Sequence, residues 1–374
     1  MDNSFFIIDS FVAMVLGSIL AGVLIPRILL ISFRKKLFDD ADERKIHNST
    51  VPRLGGIAFG PVILFTIFFI GGFNMTIYPG EAFEKDALEQ IVVLSGMICS
   101  SILVYLVGIA DDLVGVRYQA KFLVQVVAAV LLVLSGLWIS DMHGIFGVES
   151  VPEYIGYPLT VFFVVFVINA VNLIDGIDGL ASGLTMVALM VFGISFITGG
   201  DFVFALICFA TLGVLLPFFY FNVFGKVQNR KKIFMGDTGS LTIGLILSAS
   251  ALRIIAGEGD NVVGGENLAV VAFSPLIVPC FDVVRVVCIR IKAKKRVFLP
   301  DRNHIHHRLL QAGMTQHSAL ITIVTFSLML TCLNIIASNF VNVNILLVSN
   351  VLIYFILSMS LSKYIGNVKH NFKE

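Results

Sequence analysis

The sequence predicts an all-α protein that crosses a membrane many times. Apolar residues make up 57% of the 374-residue chain and charged residues only 14%, about half the charged share of an ordinary soluble domain. The mean hydropathy is +0.94, and the apolar residues are grouped in runs near the roughly 20 residues that a spanning helix needs. This composition excludes a soluble enzyme, a disordered chain and a secreted disulfide scaffold. A net charge of +1 attracts no nucleic acid, so we expect no such partner.

Eleven apolar windows are long enough to span a bilayer. They lie near residues 5–31, 55–73, 91–110, 120–139, 158–174, 180–198, 202–222, 239–257, 268–289, 318–338 and 343–362. No linker or internal repeat divides the chain, so we expect a single transmembrane domain over residues 1–374.

The distribution of basic residues predicts the orientation. An odd number of spans places the termini on opposite sides, and every lysine and arginine except Lys85 and Arg253 then falls on one side. Because cytoplasmic loops carry the excess of lysine and arginine, the N-terminus is predicted outside and the C-terminus in the cytoplasm. The cytoplasmic loops are predicted near residues 32–54, 111–119, 175–179, 223–238 and 290–317. The unusual polar residues collect in these loops, so we expect the active site at the cytoplasmic face.

Two clusters of carboxylates lie at the cytoplasmic ends of spans. Asp111 and Asp112 end the third span, either as a solvated helix end or as ligands of a divalent cation. The fifth span ends in NAVNLIDGIDGLASG, where Asn172, Asp175 and Asp178 stand at i, i+3 and i+6. On a helix this spacing predicts one shared polar face, and the interleaved glycines also permit an unwound turn.

The segment KKIFMGDTGSL places Asp237 at the start of the eighth span. An Asp before a Thr is ordinary chemistry for a helix N-terminus, and a helix start rich in glycine also suits a phosphate with its metal ion. Phe234 is either a packing residue or a flat surface for a base or sugar.

The largest basic loop contains PDRNHIHHRLLQAG. Its five candidate ligands are Arg302, His304, His306, His307 and Arg308. Three histidines are compatible with zinc, but their place beside two arginines favours a clamp for an anion or a sugar. The first loop adds Lys45 in a basic stretch that also fits contact with anionic lipid.

Five motifs in order resemble the polyprenyl-phosphate N-acetylhexosamine-1-phosphate transferases, which include the undecaprenyl-phosphate GlcNAc-1-phosphate transferases and the phospho-MurNAc-pentapeptide translocase. The motifs are DERKIHNSTVPRLGG, ADD, NAVNLIDGIDGLASG, FMGDTGSL and HIHHRL. The resemblance implies transfer of a sugar 1-phosphate, most simply GlcNAc-1-phosphate, from a UDP-sugar to undecaprenyl phosphate. UMP would be released, and the step would initiate a cell-surface polysaccharide. It also implies Mg²⁺, with Mn²⁺ as an alternative, and a multi-pass protein of the bacterial inner membrane, with a homodimer left open.

The resemblance implies roles for individual residues. Asp111, Asp112 and Asp237 match the catalytic carboxylates, and Asp112 with Asp237 is expected to hold the metal. The remaining matches are expected to bind substrate: Lys45, Asn172, Asp175, Asp178, Asn222, Phe234, Arg302, His304, His306, His307 and Arg308.

Three alternatives stay open at this point. HIHHRL favours the GlcNAc-1-phosphate branch over the translocase of peptidoglycan synthesis. An ion-coupled transporter is a rival of another class, although transporters place their carboxylates near the middle of the bilayer. Direct attack by the lipid phosphate and a covalent aspartyl intermediate are both compatible with these residues.

Overall fold

A computed structural model describes residues 3–37, 51–77, 87–257, 267–294 and 303–371 of the chain. Within these ranges the protein is helical, and the only β-type pairing is an isolated bridge between Asp141 and Ser150. Two of the predicted substrate ligands, Lys45 and Arg302, lie outside the described residues.

Thirteen α-helices form the described part of the chain. They are α1 (Asn3–Lys35), α2 (Phe59–Ile77), α3 (Ala87–Val114), α4 (Tyr118–Leu134), α5 (Glu153–Ile174), α6 (Leu180–Gly199), α7 (Phe202–Val223), α8 (Gly236–Ile255), α9 (Leu268–Phe273), α10 (Ile277–Lys292), α11 (Ile305–Gln311), α12 (Gln316–Ala337) and α13 (Val343–Asn371). Short 3₁₀ helices at Gly55–Ala58 and Ser274–Leu276 lead into α2 and α10.

The polytopic all-α prediction is confirmed. Ten helical segments in the described ranges are long and apolar enough to cross a membrane, with α9 and α10 counted as one. The remaining predicted window, at 120–139, corresponds to α4, whose 17 residues reach only the lower limit for a span. The Ser100 hydroxyl of α3 donates to the carbonyl of Ala128 in α4 at 2.8 Å, so α4 runs back along α3. Which side of the membrane each terminus faces stays a prediction.

One predicted span is broken in the structure. The apolar window at 268–289 predicts a single helix, but the chain forms α9, a 3₁₀ turn at Ser274–Leu276 and then α10. Pro275 lies in that turn, and proline has no N–H to continue the helical hydrogen bonds. Beyond this turn, α10 packs against α5 and α12.

Helix α8 is the centre of the bundle. Its side chains are buried almost without interruption from Thr238 to Ile255, and α3, α5 and α6 pack around it. Small residues permit similarly close packing elsewhere. A Cβ on Gly213 of α7 would come within 2.3 Å of the Met14 carbonyl of α1, and the Ser18 hydroxyl donates to the Gly213 carbonyl at 2.9 Å. Small residues of this kind are typical of helix contacts inside membranes.

Alternate helix ends meet at opposite faces of the bundle. At one face, His143 Nε2 lies 2.8 Å from the carbonyl at the end of α8, and Asn344 Nδ2 donates to the Gly144 carbonyl at 2.8 Å. The other face gathers the end of α3, the start of α4, the α5–α6 connection and the start of α8. Among the described residues, Asp111, Asp112, Asn172 and Asp237 lie there.

Candidate active site

One side of the site is formed by two neighbouring segments, residues 52–56 before α2 and residues 234–235 before α8. The Phe234 N–H donates to the Pro52 carbonyl at 2.9 Å, and the N–H groups of Gly55 and Gly56 donate to the carbonyls of Phe234 and Met235 at 3.0 and 2.9 Å. These backbone bonds fix the start of α8 at the rim of the bundle and hold Arg53 next to it.

Asp112 caps the N-terminus of α8 from another helix. Its Oδ1 accepts from the Asp237 N–H at 2.8 Å, and its Oδ2 accepts from the Thr238 N–H at 2.9 Å. The Thr238 hydroxyl donates to the same Oδ2. The N-cap residue of α8, Met235, makes no side-chain hydrogen bond to the helix start. A carboxylate at a helix N-terminus satisfies unpaired N–H groups and faces the positive end of the helix dipole. Asp112 therefore couples the end of α3 to the position of Asp237.

Gly236 is the residue that this close approach requires. Its φ is +72°, and a Cβ there would lie 2.0 Å from the Arg53 carbonyl oxygen and 2.5 Å from Asp112 Oδ2. Both the backbone conformation and the missing side chain are therefore needed.

Replacing Gly236 by alanine is expected to damage both activity and stability, since the new methyl group meets the Arg53 carbonyl and displaces the Asp112 carboxylate from α8. Gly200→Ala is the matched control, because Gly200 has a φ of +78° and open space around it. We expect G200A to cost about 1–2 kcal/mol of stability with little effect on the site. G236A should lose at least about tenfold in turnover, by the cost of one lost charged hydrogen bond. Turnover and thermal unfolding of both variants check this, and equal behaviour of the two would contradict it.

Three helices bring one lysine between two carboxylates. Lys121 Nζ of α4 lies 3.0 Å from Asp111 Oδ2 and 2.6 Å from Asp237 Oδ2. Asn172 Nδ2 of α5 donates to Asp237 Oδ1 at 3.2 Å and to the Ser240 hydroxyl at 2.8 Å. The positive charge of Lys121 offsets the repulsion between the two carboxylates. Asp237 is therefore the point at which α3, α4, α5 and α8 meet.

Two pairs of carboxylates could hold a divalent cation here. The resemblance pairs Asp237 with Asp112, or with Asp111 as the alternative, and both Asp112 oxygens already accept from α8. A contact of Asp112 with the metal stays a prediction. Asp111 and Asp237 are the carboxylates that share a positively charged group. No three His, Cys, Asp or Glu side chains converge as a metal site among the residues described. Mg²⁺ is commonly held by one or two carboxylates with substrate phosphates and water, so two carboxylates suffice.

The predicted helical face of Asn172, Asp175 and Asp178 is wrong. Helix α5 ends at Ile174, Asp175 has φ −74° and ψ +58°, and α6 begins only at Leu180. Asn172 thus lies on the helix, whereas Asp175 and Asp178 lie in the connection that follows. The glycines of DGIDG take the alternative that the sequence allowed, an unwound turn.

Asp175 is exposed and lies near other acids, in the space between the α5–α6 connection and the start of α8, which we call the cleft. Partial loss of solvent, followed by the charges of Asp178, Asp237 and Asp112, raises the pKa of Asp175 to about 7, and the charge of Arg53 acts in the opposite direction. The carboxyl group therefore changes its charge near neutral pH in the absence of a bound cation.

The raised pKa of Asp175 predicts how stability depends on pH. The folded protein holds this proton up to about pH 7, whereas an unfolded chain releases it near the ordinary value of 3.8. The folded state therefore binds more protons between these values, and stability falls as the pH rises through this range. In EDTA, we expect Asp175→Asn to remove this part of the slope. Thermal unfolding from pH 5 to 8 measures it, with Asp141→Asn on the opposite face as control. Parallel curves for wild type and D175N would contradict the prediction.

Two of the predicted substrate ligands, Asn222 and Asp178, form hydrogen bonds or ion pairs with other parts of the protein. Asn222 is buried, its Oδ1 accepts from the Gly179 N–H at 2.6 Å, and its Nδ2 donates to the Ile233 carbonyl at 2.8 Å. Asp178 is paired with Lys232 from the loop before α8. Both contacts join the α5–α6 connection to that loop. Phe234 is half-buried in the same loop. Contacts of these three residues with a substrate stay predictions.

The histidine motif closes the cleft from the side of α11. The His306 ring lies against Gly176, where a Cβ would come within 2.0 Å of its Nε2. The His304 and His306 rings are parallel with centroids 5.9 Å apart, and His307 lies 4.2 Å beyond His306. Burial lowers the pKa of His306 to about 3, so this ring is neutral. The motif therefore lies next to Asp175, as a shared site requires.

Arg308 has partners other than the predicted substrate. It is buried, its NH1 donates to the Ser358 hydroxyl at 2.8 Å, and its NH2 donates to the Ser358 carbonyl at 2.9 Å and to the Ser362 hydroxyl. These bonds anchor α11 to α13, so a direct contact of Arg308 with substrate stays a prediction.

Lys121 is a site residue that lies outside every sequence motif. In the sequence it contributes only to the excess of basic residues that orients the chain. The signal was present, however, since Lys121 lies inside an apolar window at 120–139. An ionisable residue within a membrane span is costly and usually functional.

The fold and the residues of the cleft together define the class of protein. This is a multi-pass membrane protein with carboxylates, a lysine and histidines gathered at one face, a set suited to a phosphorylated substrate and a cation. Comparison with known proteins agrees. The sequence model described as Glycosyl transferase family 4 matches residues 94–255, which include Asp111, Asp112, Lys121, Asn172, Asp175 and Asp237.

Curated relatives cover most of the chain. It is similar to the undecaprenyl-phosphate alpha-N-acetylglucosaminyl 1-phosphate transferases of Salmonella typhi, with 30% identity over 324 residues, and of Escherichia coli K12, with 28% over 326. Each match covers 86% of this chain and 82% of the relative. The probable undecaprenyl-phosphate N-acetylglucosaminyl 1-phosphate transferase of Bacillus subtilis is 28% identical, over 83% of this chain and 80% of its own. The chain belongs to glycosyl transferase family 4.

Proposed function

We propose that this protein transfers GlcNAc-1-phosphate from UDP-GlcNAc to undecaprenyl phosphate and releases UMP. The observation that carries the proposal is the similarity, over more than four fifths of the chain, to relatives named for this reaction. The cleft supports it, since its charged groups suit phosphoryl transfer, in which catalysis is mainly positioning and charge neutralisation.

In the proposed reaction an oxygen of the lipid phosphate attacks the β-phosphorus of the sugar nucleotide. A bond forms between that oxygen and phosphorus, the bond to the bridging oxygen breaks, and UMP carries away the electron pair. A phosphate monoester has its second pKa near 6, so the lipid phosphate is mostly dianionic at neutral pH and a general base is not obligatory. The chain's contribution is to hold both anions together and to neutralise their charge.

Individual residues divide this work. Asp237 and Asp111 would hold a divalent cation, and such a cation would neutralise charge on the diphosphate. Lys121 would then release one of its two carboxylate partners and bind a phosphate oxygen of the substrate instead. Asp112 keeps α8 capped and Asp237 in place. Asn172 orients the Asp237 carboxylate by its hydrogen bond to Oδ1.

The site face is the cytoplasmic face in this proposal, because it carries nearly all of the basic residues. The protein would lie in the bacterial inner membrane with its N-terminus outside. UDP-sugars are then bound from the cytoplasm, and the lipid acceptor from the bilayer.

A panel of radiolabelled UDP-sugars tests the substrate. Detergent-solubilised protein with undecaprenyl phosphate and Mg²⁺ should form labelled lipid from UDP-GlcNAc in preference to UDP-GalNAc and UDP-MurNAc-pentapeptide. EDTA should abolish the reaction, and Mg²⁺ or Mn²⁺ should restore it. Preference for the MurNAc-pentapeptide donor would identify the translocase activity instead. No transfer from any donor, with the lipid accepted by a control enzyme, would overturn the proposal.

A further inference from the structure

A fully buried carboxylate, Asp282 of α10, stands outside every motif and has no part in the mechanism above. It is 0% exposed and accepts four hydrogen bonds. The donors are His304 Nδ1 at 2.7 Å, Arg285 NH2 at 2.7 Å, the Ile305 N–H at 2.9 Å and the Tyr354 hydroxyl at 3.3 Å. A buried charge is tolerated only with such compensation. The cluster therefore joins α10, α11 and α13 around one carboxylate.

The hydrogen bond from His304 to Asp282 determines which nitrogen of the His304 ring carries a hydrogen. An ionised carboxylate only accepts hydrogen bonds, so His304 Nδ1 must carry the hydrogen that it shares with Asp282 Oδ2. The other ring nitrogen, Nε2, has no hydrogen-bond partner within the described part of the chain, so it is the nitrogen that can meet a ligand. The same ring lies parallel to His306, which in turn lies against Gly176 beside Asp175. The Nδ1 side of His304 is thus bonded to α10, and the ring that stacks on it, His306, borders the cleft.

We propose that Asp282 is a positioning residue that acts through His304. It holds Nδ1–H toward α10 and thereby directs Nε2 toward the diphosphate of the sugar nucleotide. An Nε2 that carries a hydrogen donates it to a phosphate oxygen, and such charge-assisted contacts with phosphate are short and strong. This inference rests on the proposed function for the identity of the substrate.

The other charged groups around His304 have separate tasks. Arg285 donates to Asp282 and to the Asn303 carbonyl, and so balances the buried charge. Arg308 is bonded to α13. His306 and His307 continue the row of rings beyond His304, and Tyr354 contacts the opposite edge of the carboxylate. Asp282 is the acceptor that determines which His304 nitrogen carries the hydrogen.

Kinetics of three variants separate positioning from folding. Asp282→Asn should raise the KM for UDP-GlcNAc about tenfold with a smaller change in kcat, the size expected for one charged hydrogen bond. His304→Gln should have a similar effect, and the double variant D282N/H304Q should be no worse than H304Q alone. Tyr354→Phe removes a different donor from the same carboxylate and should stay within about twofold of wild type. Independent, multiplying effects of D282N and H304Q would overturn the proposal, as would equal damage by Y354F.

A spectroscopic measurement on the wild-type protein decides the matter even if D282N does not fold. Histidine labelled with ¹⁵N, with H304Q to assign the signal, should show Nδ1 of His304 protonated and Nε2 shifting when UDP-GlcNAc is added. A bare Nδ1, or an Nε2 that ignores the nucleotide, would contradict the proposal. If the wild-type protein transfers no sugar phosphate, the proposed function fails, but the Nδ1 signal still tests the Asp282–His304 pair.

Discussion

Replacing Asp237 by asparagine is expected to lower kcat by about 10³-fold while leaving the protein folded. Removing one preorganised charged or polar group from a transition-state site costs about 10²–10³, and the Asp237 carboxylate also holds two other side chains in place. It contacts Lys121 and Asn172, whereas the bond to Asp112 is made by the Asp237 backbone N–H and is kept in the variant. An asparagine keeps the shape of the side chain but loses the charge that a cation needs.

The control for D237N is Glu153→Gln, which removes one exposed carboxylate at the start of α5, on the opposite face. Initial rates at saturating substrates measure kcat, and thermal unfolding measures stability. We expect E153Q to match wild type in both. A D237N protein that turns over at close to the wild-type rate would remove the carboxylate cluster from the mechanism.

The second large effect is expected at Lys121. Lys121→Gln leaves Asp111 and Asp237 facing each other without a shared cation, and it removes a candidate partner for the lipid phosphate. We expect kcat/KM to fall about 10²-fold, by the loss of one charge-assisted contact at each carboxylate. Lys121→Arg should recover only part of this, because a planar guanidinium does not reproduce the position of a compact ammonium.

Lys121 also predicts a metal dependence. Its Nζ occupies the same carboxylate oxygens that a cation would use. The Mg²⁺ concentration for half-maximal rate should therefore fall in K121Q, even though the maximal rate is lower. Lys226→Gln, an exposed lysine in the loop before α8, is the matched control and should change neither quantity. A K121Q protein with an unchanged rate and an unchanged Mg²⁺ requirement would contradict this account of the site.

The helices could be predicted from the sequence because lipid imposes one simple rule. Each apolar run must form a helix of nearly fixed length, so runs of about 20 residues predict spans well. The break at Ser274–Leu276 was harder, since Pro275 is one residue in an otherwise continuous apolar run. Proline inside membrane helices is often tolerated, so the residue alone does not predict where a span ends.

The sequence predicts which residues belong to the site. It does not predict which of them contact one another. Asp111, Asp112 and Asp237 were found because acids at the ends of spans are unusual. That Asp112 caps α8 was not visible, since 125 residues separate it from the Asp237 N–H. Asp282 was missed for another reason. It lies inside an apolar window, and only the fold shows that His304, Arg285 and Tyr354 surround it.

The measurement that most directly tests the central claim follows the β-phosphorus of the donor. The protein should be incubated with UDP-GlcNAc labelled with ³²P at the β-phosphate, undecaprenyl phosphate and Mg²⁺. If a sugar 1-phosphate is transferred, the label enters the lipid fraction with GlcNAc, and UMP is the nucleotide released. Label that stays in the aqueous phase as UDP while GlcNAc enters the lipid would show transfer of the sugar alone, and would contradict the mechanism assigned to Asp111, Lys121 and Asp237.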